Sequence, residues 1–271
     1  MINRDALGRS TVLVAIWLLC NTSPGFAQTS IGVLRVTLPV VTATHDTTAR
    51  LAQQVVRDVA MIRLRAVDSV LSPILPGGIR FDVSVEACGR PDYLYDRSRR
   101  HVVLCTEMDG FARALVRAGL RRERGTEPGR HDDEAEDVLD AFTIFAILHE
   151  LGHAAIDQLR LPVPGRSEDA ADGFAAYALL ARGESGTILG AAQWLAWLET
   201  HPVSISVDWP RDYADGHALP GQRFERLRCL LEGRMRIPSD ASESESRPDC
   251  QSEWLRLSDA WQQLLRARSA P

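Results

Sequence analysis

The chain has 271 residues, with 36 acidic side chains against 31 basic ones and a formal net charge of -5 at pH 7. This mildly acidic balance gives no electrostatic basis for binding nucleic acid, so we expect no nucleic-acid partner. Every basic residue is an arginine, and the absence of lysine excludes Schiff-base chemistry and Walker-type phosphate binding.

The first part of the chain is typical of a secretory signal peptide. An arginine-bearing start, residues 1–9, precedes the apolar run 11–20, and Gly25 and Ala27 lie three and one positions before a plausible cleavage point. The apolar run is too short to span a bilayer. We therefore predict a bacterial secreted or periplasmic protein that loses residues 1–27. An uncleaved membrane anchor is the alternative.

The remaining residues, 28–271, are enough for one domain with a substantial core. No later run comes near the roughly 18 apolar residues of a membrane helix, so we expect no stable membrane insertion after the signal is removed.

Strands are predicted mainly in the first half of the chain. The β-branched stretch 31–41 predicts a first strand, and apolar residues at helical spacing predict a helix over 48–70. Two further strands, 79–88 and 101–108, flank the turn-rich stretch 89–100, and we expect them to pair as an antiparallel hairpin.

Helices are predicted throughout the rest of the chain. The charge-dense stretch 121–137 has no apolar periodicity and is predicted to be an exposed loop, with His131 in solvent. The stretches 200–222 and 237–250 are also predicted to be irregular. The predicted helices are 109–120, 138–159, 168–181, 191–198, 223–232 and 253–268.

Of the five cysteines, only Cys20 lies in the predicted signal peptide. An even number in an exported chain favours two disulfides. Three pairings are possible, and we predict the sequence-local one, Cys88–Cys105 and Cys229–Cys250. A zinc site made of cysteines is the alternative, but no C-x-x-C spacing supports it.

The stretch 145-FAILHELGH-153 places ionisable groups inside the apolar helix predicted over 138–159. His149 and His153 are four residues apart on one helical face, where both imidazoles can bind a single Zn²⁺. Glu150 lies next to them and can take a proton from a zinc-activated water without ligating the ion. Two histidines satisfied inside the core are the alternative, but that alternative leaves a buried Glu150 unexplained.

A catalytic zinc needs a third protein ligand and an open fourth position. The extended motif H-E-x-x-H-x-x-G-x-x-H is excluded, because Ile156 and Leu159 occupy its last two conserved positions. Glu168, on the following helix, is the predicted third ligand. Asp169 is the alternative, although it also suits a helix N-terminus. Asp172 shares a face with Glu168 and can accept the other ring N–H of a ligand histidine.

These motifs carry a family resemblance. H-E-x-x-H followed by E-x-x-x-D resembles the gluzincin zinc metallopeptidases. The wider pattern resembles a "putative metallopeptidase" domain family of secreted bacterial proteins, and this likeness covers most of residues 80–235. It includes P-x-x-G-x-x-E-D-x-A-D at 162–172, E-x-C-G at 86–89 and L-C-x-E at 104–107.

The resemblance implies a function for each matching residue. It implies that His149, His153 and Glu168 are the metal ligands, that Glu150 is the general base, and that Asp172 orients a ligand histidine.

Thermolysin-like gluzincins also have a downstream histidine that hydrogen-bonds the oxyanion, and His217 resembles it. Asp212 or Asp215 would then orient His217, while a histidine exposed on a loop is the alternative. Arg223 is expected either to hold Glu168 or Asp172 or to begin a helix.

Together these patterns predict an α+β, zincin-like domain with a small antiparallel sheet followed by a mainly helical half that contains the HExxH helix. The predicted function is a zinc-dependent peptidase with one Zn²⁺ per chain and a peptide or protein substrate. Peptidoglycan cross-links are an alternative substrate. The alternative function is a non-catalytic zinc-containing binding protein of the cell envelope, which would use the acidic loops or a surface with Trp194 and Trp197.

Overall fold

A computed structural model shows an α+β fold with a five-stranded sheet and a mainly helical remainder. Residues 1–25 of the predicted signal peptide, His131 and residues 237–248 lie outside the part that it describes. The described residues are 26–39, 47–125, 132–200, 216–236 and 249–268.

The sheet is mixed, so the predicted antiparallel sheet is wrong. Its order is β1-β2-β3-β5-β4, with parallel pairs β2–β3 and β3–β5 in the middle and antiparallel pairs at both edges. Parallel neighbours need a crossover connection, and a long helix supplies it between β2 and β3. The strands are β1 Phe26–Ile31, β2 Leu34–Pro39, β3 Phe81–Glu86, β4 Tyr93–Asp96 and β5 His101–Cys105.

Two short strands form a hairpin at the start of the described chain, and only the second of them, β2, matches the strand predicted over 31–41. The turn lies at Gly32 and Val33, and Gly32 has a φ of 47°. A side chain on Gly32 would overlap the carboxylate of Asp68, which accepts a 2.8 Å hydrogen bond from the Val33 N–H. A glycine is therefore required at this turn.

β1 starts at Phe26, so its first two residues overlap the end of the predicted signal peptide, residues 1–27, whose cleavage stays a prediction.

All seven predicted helices are present, with longer bounds than the patterns indicated. α3 begins six residues before its predicted start, at Asp132, so part of the predicted loop 121–137 is helical. The first turn of α3 contains Asp132, Asp133 and Glu134 and shows no apolar periodicity, so the pattern did not predict a helix there. These acids nevertheless suit the positive end of a helix. The helices are α1 Thr47–Leu71, α2 Glu107–Arg124, α3 Asp132–Gln158, α4 Ser167–Ala181, α5 Ser185–Thr200, α6 Pro220–Met235 and α7 Cys250–Arg266.

α3 is the central helix of the fold and packs against α1, α2, α4, α5 and the sheet. Leu139, Leu148 and Leu151 are fully buried. Within the described residues, α3 is also the one helix that is long and apolar enough, by length and composition, to cross a membrane. The sequence prediction had expected no such stretch after the signal peptide. Because 67% of its most apolar window is buried, its composition is explained by its place in the core.

Both predicted disulfides are present. Cys88–Cys105 joins the ends of the parallel strands β3 and β5, with a Cα–Cα distance of 5.4 Å. Cys229–Cys250 joins α6 to the start of α7, with a Cα–Cα distance of 4.9 Å. In the chain-entropy model, loops of 17 and 21 residues each contribute about 3 kcal/mol to stability.

The two tryptophans of α5 belong to the core. Trp194 and Trp197 are each only 4% exposed. Phe142 stacks on Trp194 with ring centroids 3.7 Å apart, and the indole N–H of Trp197 donates to Glu123. The predicted binding surface with these tryptophans is therefore wrong.

Candidate metal centre

The candidate site lies where α3 and α4 cross at short distance. At this crossing, a Cβ on Gly152 would lie 3.1 Å from the Cα of Ala171 and 3.1 Å from a ring carbon of Phe174. Because Gly152 has no side chain, the backbone of α4 packs directly against α3. This close approach brings Glu168 and Asp172 to the two histidines of α3.

Three donor atoms form a nearly equilateral triangle. The Nε2 atoms of His149 and His153 are 3.2 Å apart, and Oε2 of Glu168 lies 3.1 and 3.0 Å from them, respectively. Tetrahedral zinc with ligand bonds of about 2.1 Å would hold its ligands about 3.4 Å apart. The triangle therefore fits zinc with only small adjustments. No other such group of three His, Cys, Asp or Glu residues occurs within the described ranges.

Asp169, the alternative third ligand, does not reach the triangle. Its Oδ2 accepts a 3.1 Å hydrogen bond from Nε of Arg166 at the exposed start of α4. The acid that faces the two histidines is therefore Glu168.

Asp172 fixes the orientation of the His149 ring. Nδ1 of His149 lies 2.8 Å from Oδ1 of Asp172, which favours the tautomer that donates from Nδ1 and leaves the Nε2 lone pair toward the triangle. Arg223 donates to Asp172 from both Nε and Nη2, each over 2.8 Å. The structure thus places Arg223 on Asp172, one of the two partners expected for it.

The charges of the site favour a cation at its centre. Burial by itself lowers the pKa of His149, but hydrogen bonds to Asp172 and Glu168 outweigh burial and raise that pKa to about 9. Burial also raises the pKa of Glu168 and of Asp172. Hydrogen bonds from His149 and His153 nevertheless hold the pKa of Glu168 well below its usual range, and contacts with His149 and Arg223 do the same for Asp172. The carboxylates therefore favour positive charge beside Nε2 of His149, which a proton or a divalent cation supplies.

Glu150 lies beside the triangle without being part of it. Its Oε1 is 4.0 Å from Nε2 of His149, and its side chain is 12% exposed. Burial raises the pKa of Glu150, while the histidines and a hydrogen bond from the backbone N–H of Tyr95 oppose the rise. A nearly buried carboxylate with a raised pKa is suited to accept a proton near neutral pH.

Tyr95 is a site residue that the sequence analysis missed. It lies in the edge strand β4, where its backbone contacts Glu150 and its hydroxyl donates to Oδ2 of Asp157 over 2.9 Å. The available signal was the spacing of Tyr93 and Tyr95, since aromatic residues two apart are typical of a strand. Because turn-forming residues surround these two tyrosines, the whole stretch 89–100 was predicted as a turn.

His217 reaches the site from the segment that precedes α6. Its Nε2 lies 2.9 Å from Oε2 of Glu168, and its ring stacks against His149 with centroids 5.3 Å apart. Its side chain is 36% exposed. His217 therefore lies at the mouth of the centre and can reach a bound molecule. Asp212 and Asp215 lie outside the described residues.

A cavity of about 180 Å³ lies apart from this centre, between α1, α2 and the sheet. Thr143 and Ile147 of α3 line it, but none of the three donor residues does. Its polar wall includes Arg63, which is 6% exposed and ion-paired with Asp109. The cavity is therefore not the metal site.

A family model described as "Putative metallopeptidase" matches residues 43–265. The match includes the donor triangle, Glu150, His217 and both disulfides. No match was found among curated proteins or among solved structures.

Proposed function

Because the chain belongs to the family described as "putative metallopeptidase", we propose that it is a zinc-dependent peptidase that uses Glu150 as its general base. The observation that carries this proposal is the placement of Glu150. It lies 4.0 Å from one donor atom of a triangle made of two histidines and a glutamate, and it is not a member of that triangle. His₂Glu ligation favours zinc among divalent metals.

The three donors would hold one Zn²⁺ per chain. When bound, zinc lowers the pKa of a coordinated water and polarises the substrate carbonyl. Glu150 accepts the proton of the attacking water and then delivers it to the leaving amine. Asp172, held by Arg223, keeps the lone pair on Nε2 of His149 directed at the donor triangle, where it would ligate zinc.

His217 is proposed to stabilise charge on the substrate. Its exposed position beside Oε2 of Glu168 allows it to donate a hydrogen bond to the carbonyl oxygen as negative charge develops there. A donor of this kind contributes about 3 kcal/mol to lowering the barrier.

Export to the periplasm or the medium is the proposed location. It is supported by the signal-like start of the sequence and by two disulfides, which persist in oxidising compartments.

A non-catalytic zinc protein is the second candidate, and one observation favours it. His217 lies 2.9 Å from a donor oxygen and could close the fourth position of a structural zinc site. Such a site needs no Glu150, however, and the tryptophan surface proposed for a binding protein is buried. We therefore place the peptidase first.

The test compares zinc-loaded wild type with Glu150→Gln on a mixture of unstructured peptides. We expect equal zinc contents in the two proteins. The hydrolysis rate of Glu150→Gln should fall at least about 100-fold, because a general base typically accelerates a reaction by about that factor or more. Glu136→Gln, an exposed change on the same helix, is the control. Wild-type turnover in Glu150→Gln would contradict the proposal. Loss of zinc in His217→Ala, with no hydrolysis by wild type, would favour the structural site.

A further inference from the structure

Two arginines lie near the carboxylate of Asp157 at the end of α3. Nε of Arg97 lies 3.8 Å from Oδ1 of Asp157, and Nε of Arg100 lies 3.8 Å from Oδ2. These arginine side chains are 72% and 64% exposed, respectively. Both come from the turn between β4 and β5. One carboxylate thus holds two guanidinium groups that remain open to solvent.

Two more arginines extend this group. Arg160 follows Asp157 by three residues and is exposed, and Nη2 of Arg268 donates to the Arg160 carbonyl over 2.9 Å. In the part of the chain that the structure describes, neither has an acidic partner. We call Arg97, Arg100, Arg160 and Arg268 the arginine cluster. Two of its members, Arg97 and Arg100, pair with Asp157, and the other two lie on the segments next to it, on a chain whose net charge is -5.

The cluster lies close to the metal centre. Asp157 follows His153 by four residues on α3, which is one helical turn or about 6 Å along the axis. Tyr95 connects the two places, because its backbone N–H contacts Glu150 while its hydroxyl contacts Asp157. The cluster is therefore at the end of the same strand that borders Glu150.

That strand offers a path for an extended peptide. Among the described residues β4 is an edge strand paired only with β5, and the hydrogen bond from the Tyr95 N–H to Glu150 places this edge beside the metal centre. An unpaired strand edge can hold a peptide in extended conformation. With about 3.3 Å per residue, a peptide cleaved at the metal centre reaches the cluster within about two to four residues.

We propose that the arginine cluster binds acidic side chains of the substrate, so that this peptidase selects peptides with Asp or Glu two to four residues from the cleaved bond. The proposal rests on the proposed function. Guanidinium groups pair with carboxylates through charge-assisted hydrogen bonds, and Arg97 and Arg100 are open to such pairing because each is mostly exposed and lies 3.8 Å from Asp157, beyond hydrogen-bond distance. The charge of Asp157 holds Arg97 and Arg100 near each other.

The test measures peptide binding without cleavage. The zinc-loaded Glu150→Gln protein is titrated with a fluorescent alanine-based decapeptide that carries three glutamates, and with the same peptide carrying three glutamines. We expect the glutamate peptide to bind about tenfold more tightly, and this preference to weaken as salt is added. Adding Arg97→Gln and Arg100→Gln should abolish the preference, and Arg97→Lys with Arg100→Lys should restore much of it. Arg50→Gln with Arg65→Gln, two exposed changes on α1, should leave it intact.

Equal binding of the two peptides, or an unchanged preference in the Arg97 and Arg100 glutamine variant, would overturn the proposal. A uniform loss of binding to both peptides in that variant would also overturn it, because it would show a structural effect. Failure of the proposed function gives a different result. In that case wild type cleaves neither peptide, whereas the glutamate preference and its dependence on the two arginines remain measurable.

Discussion

Arg223 and Asp172 form a two-bonded ion pair across 51 residues of sequence, with both N–O distances at 2.8 Å. Asp172 is only 5% exposed and also contacts Nδ1 of His149. A single arginine of α6 therefore holds the acid that orients His149, one of the three candidate ligands. α6 thus takes part in the candidate centre although it supplies none of the three donors.

We expect Arg223→Gln to weaken zinc binding about 10- to 100-fold, because partners of metal ligands commonly have effects of this size. Competition with a chromophoric zinc chelator measures the affinity. Arg226→Gln is the matched control, since Arg226 donates to the Asp169 backbone and does not contact Asp172. Unchanged zinc affinity in a folded Arg223→Gln protein would show that Asp172 does not need this partner.

Zinc content and thermal stability should change together. We expect one zinc per chain in wild type and none in His149→Ala. Saturating zinc at 1,000 times its dissociation constant stabilises the folded state by about 4 kcal/mol, or about 10 °C in Tm. Elemental analysis and thermal melts with and without EDTA measure both quantities, with His101→Ala in β5 as the control. A wild-type protein that takes up no zinc would remove the basis of the proposed function.

Two tyrosines should make the protein less stable at alkaline pH. Burial raises the pKa of Tyr93 and Tyr95 to about 12, and Asp157 adds to the rise at Tyr95. An unfolded tyrosine has a pKa of about 10. The folded state therefore keeps this stabilisation below about pH 10 and loses it as pH rises toward 12.

Absorbance titration of tyrosinate, together with urea unfolding at several pH values, measures this effect. In a Tyr93→Phe and Tyr95→Phe double variant, the late titration should be smaller and the free energy of unfolding should fall less steeply with pH. Identical alkaline profiles for the two proteins would contradict the prediction.

Gly152→Ala should separate α3 from α4. A Cβ at this position meets backbone atoms of Ala171 at 3.1 and 3.2 Å, so the helices must move apart by a few tenths of an ångström. Overpacking of this kind costs about 1–3 kcal/mol, against a gain in helix propensity of about 1 kcal/mol. We expect lower stability and weaker zinc binding.

Gly110→Ala is the matched control, because a Cβ at that helical position meets nothing within 4 Å. Urea unfolding and zinc competition of both variants are the measurements. If Gly152→Ala were as stable as Gly110→Ala and bound zinc equally well, the close packing at Gly152 would not matter to the site.

The donor triangle could be predicted from sequence because its residues lie on two consecutive helices. The spacing of His149 and His153 defines a helical face, and Glu168 and Asp172 repeat the same spacing on the next helix. The choice between Glu168 and Asp169 depended on how α4 crosses α3. That crossing is a packing property, which Gly152 helps to set.

The sheet and the surroundings of Glu150 were harder to predict. β4 has only four residues and lies among turn residues, so the contact of Tyr95 with Glu150 was not visible. The parallel pairing of β3 with β5 depends on contacts that local patterns do not encode. Trp194 and Trp197 looked like a possible surface because periodicity does not show what covers a helix.

The short sequence separation of the three donors has a consequence for folding order. His149 and Glu168 are 19 residues apart, so bringing them together closes a small loop at low entropic cost. The α3–α4 pair can therefore bind zinc before the distant C-terminal helices dock, and Arg223 joins Asp172 afterwards. In this order a bound ion would help to assemble the core, so we expect stopped-flow refolding to be faster with zinc present from the start than with zinc added at the end.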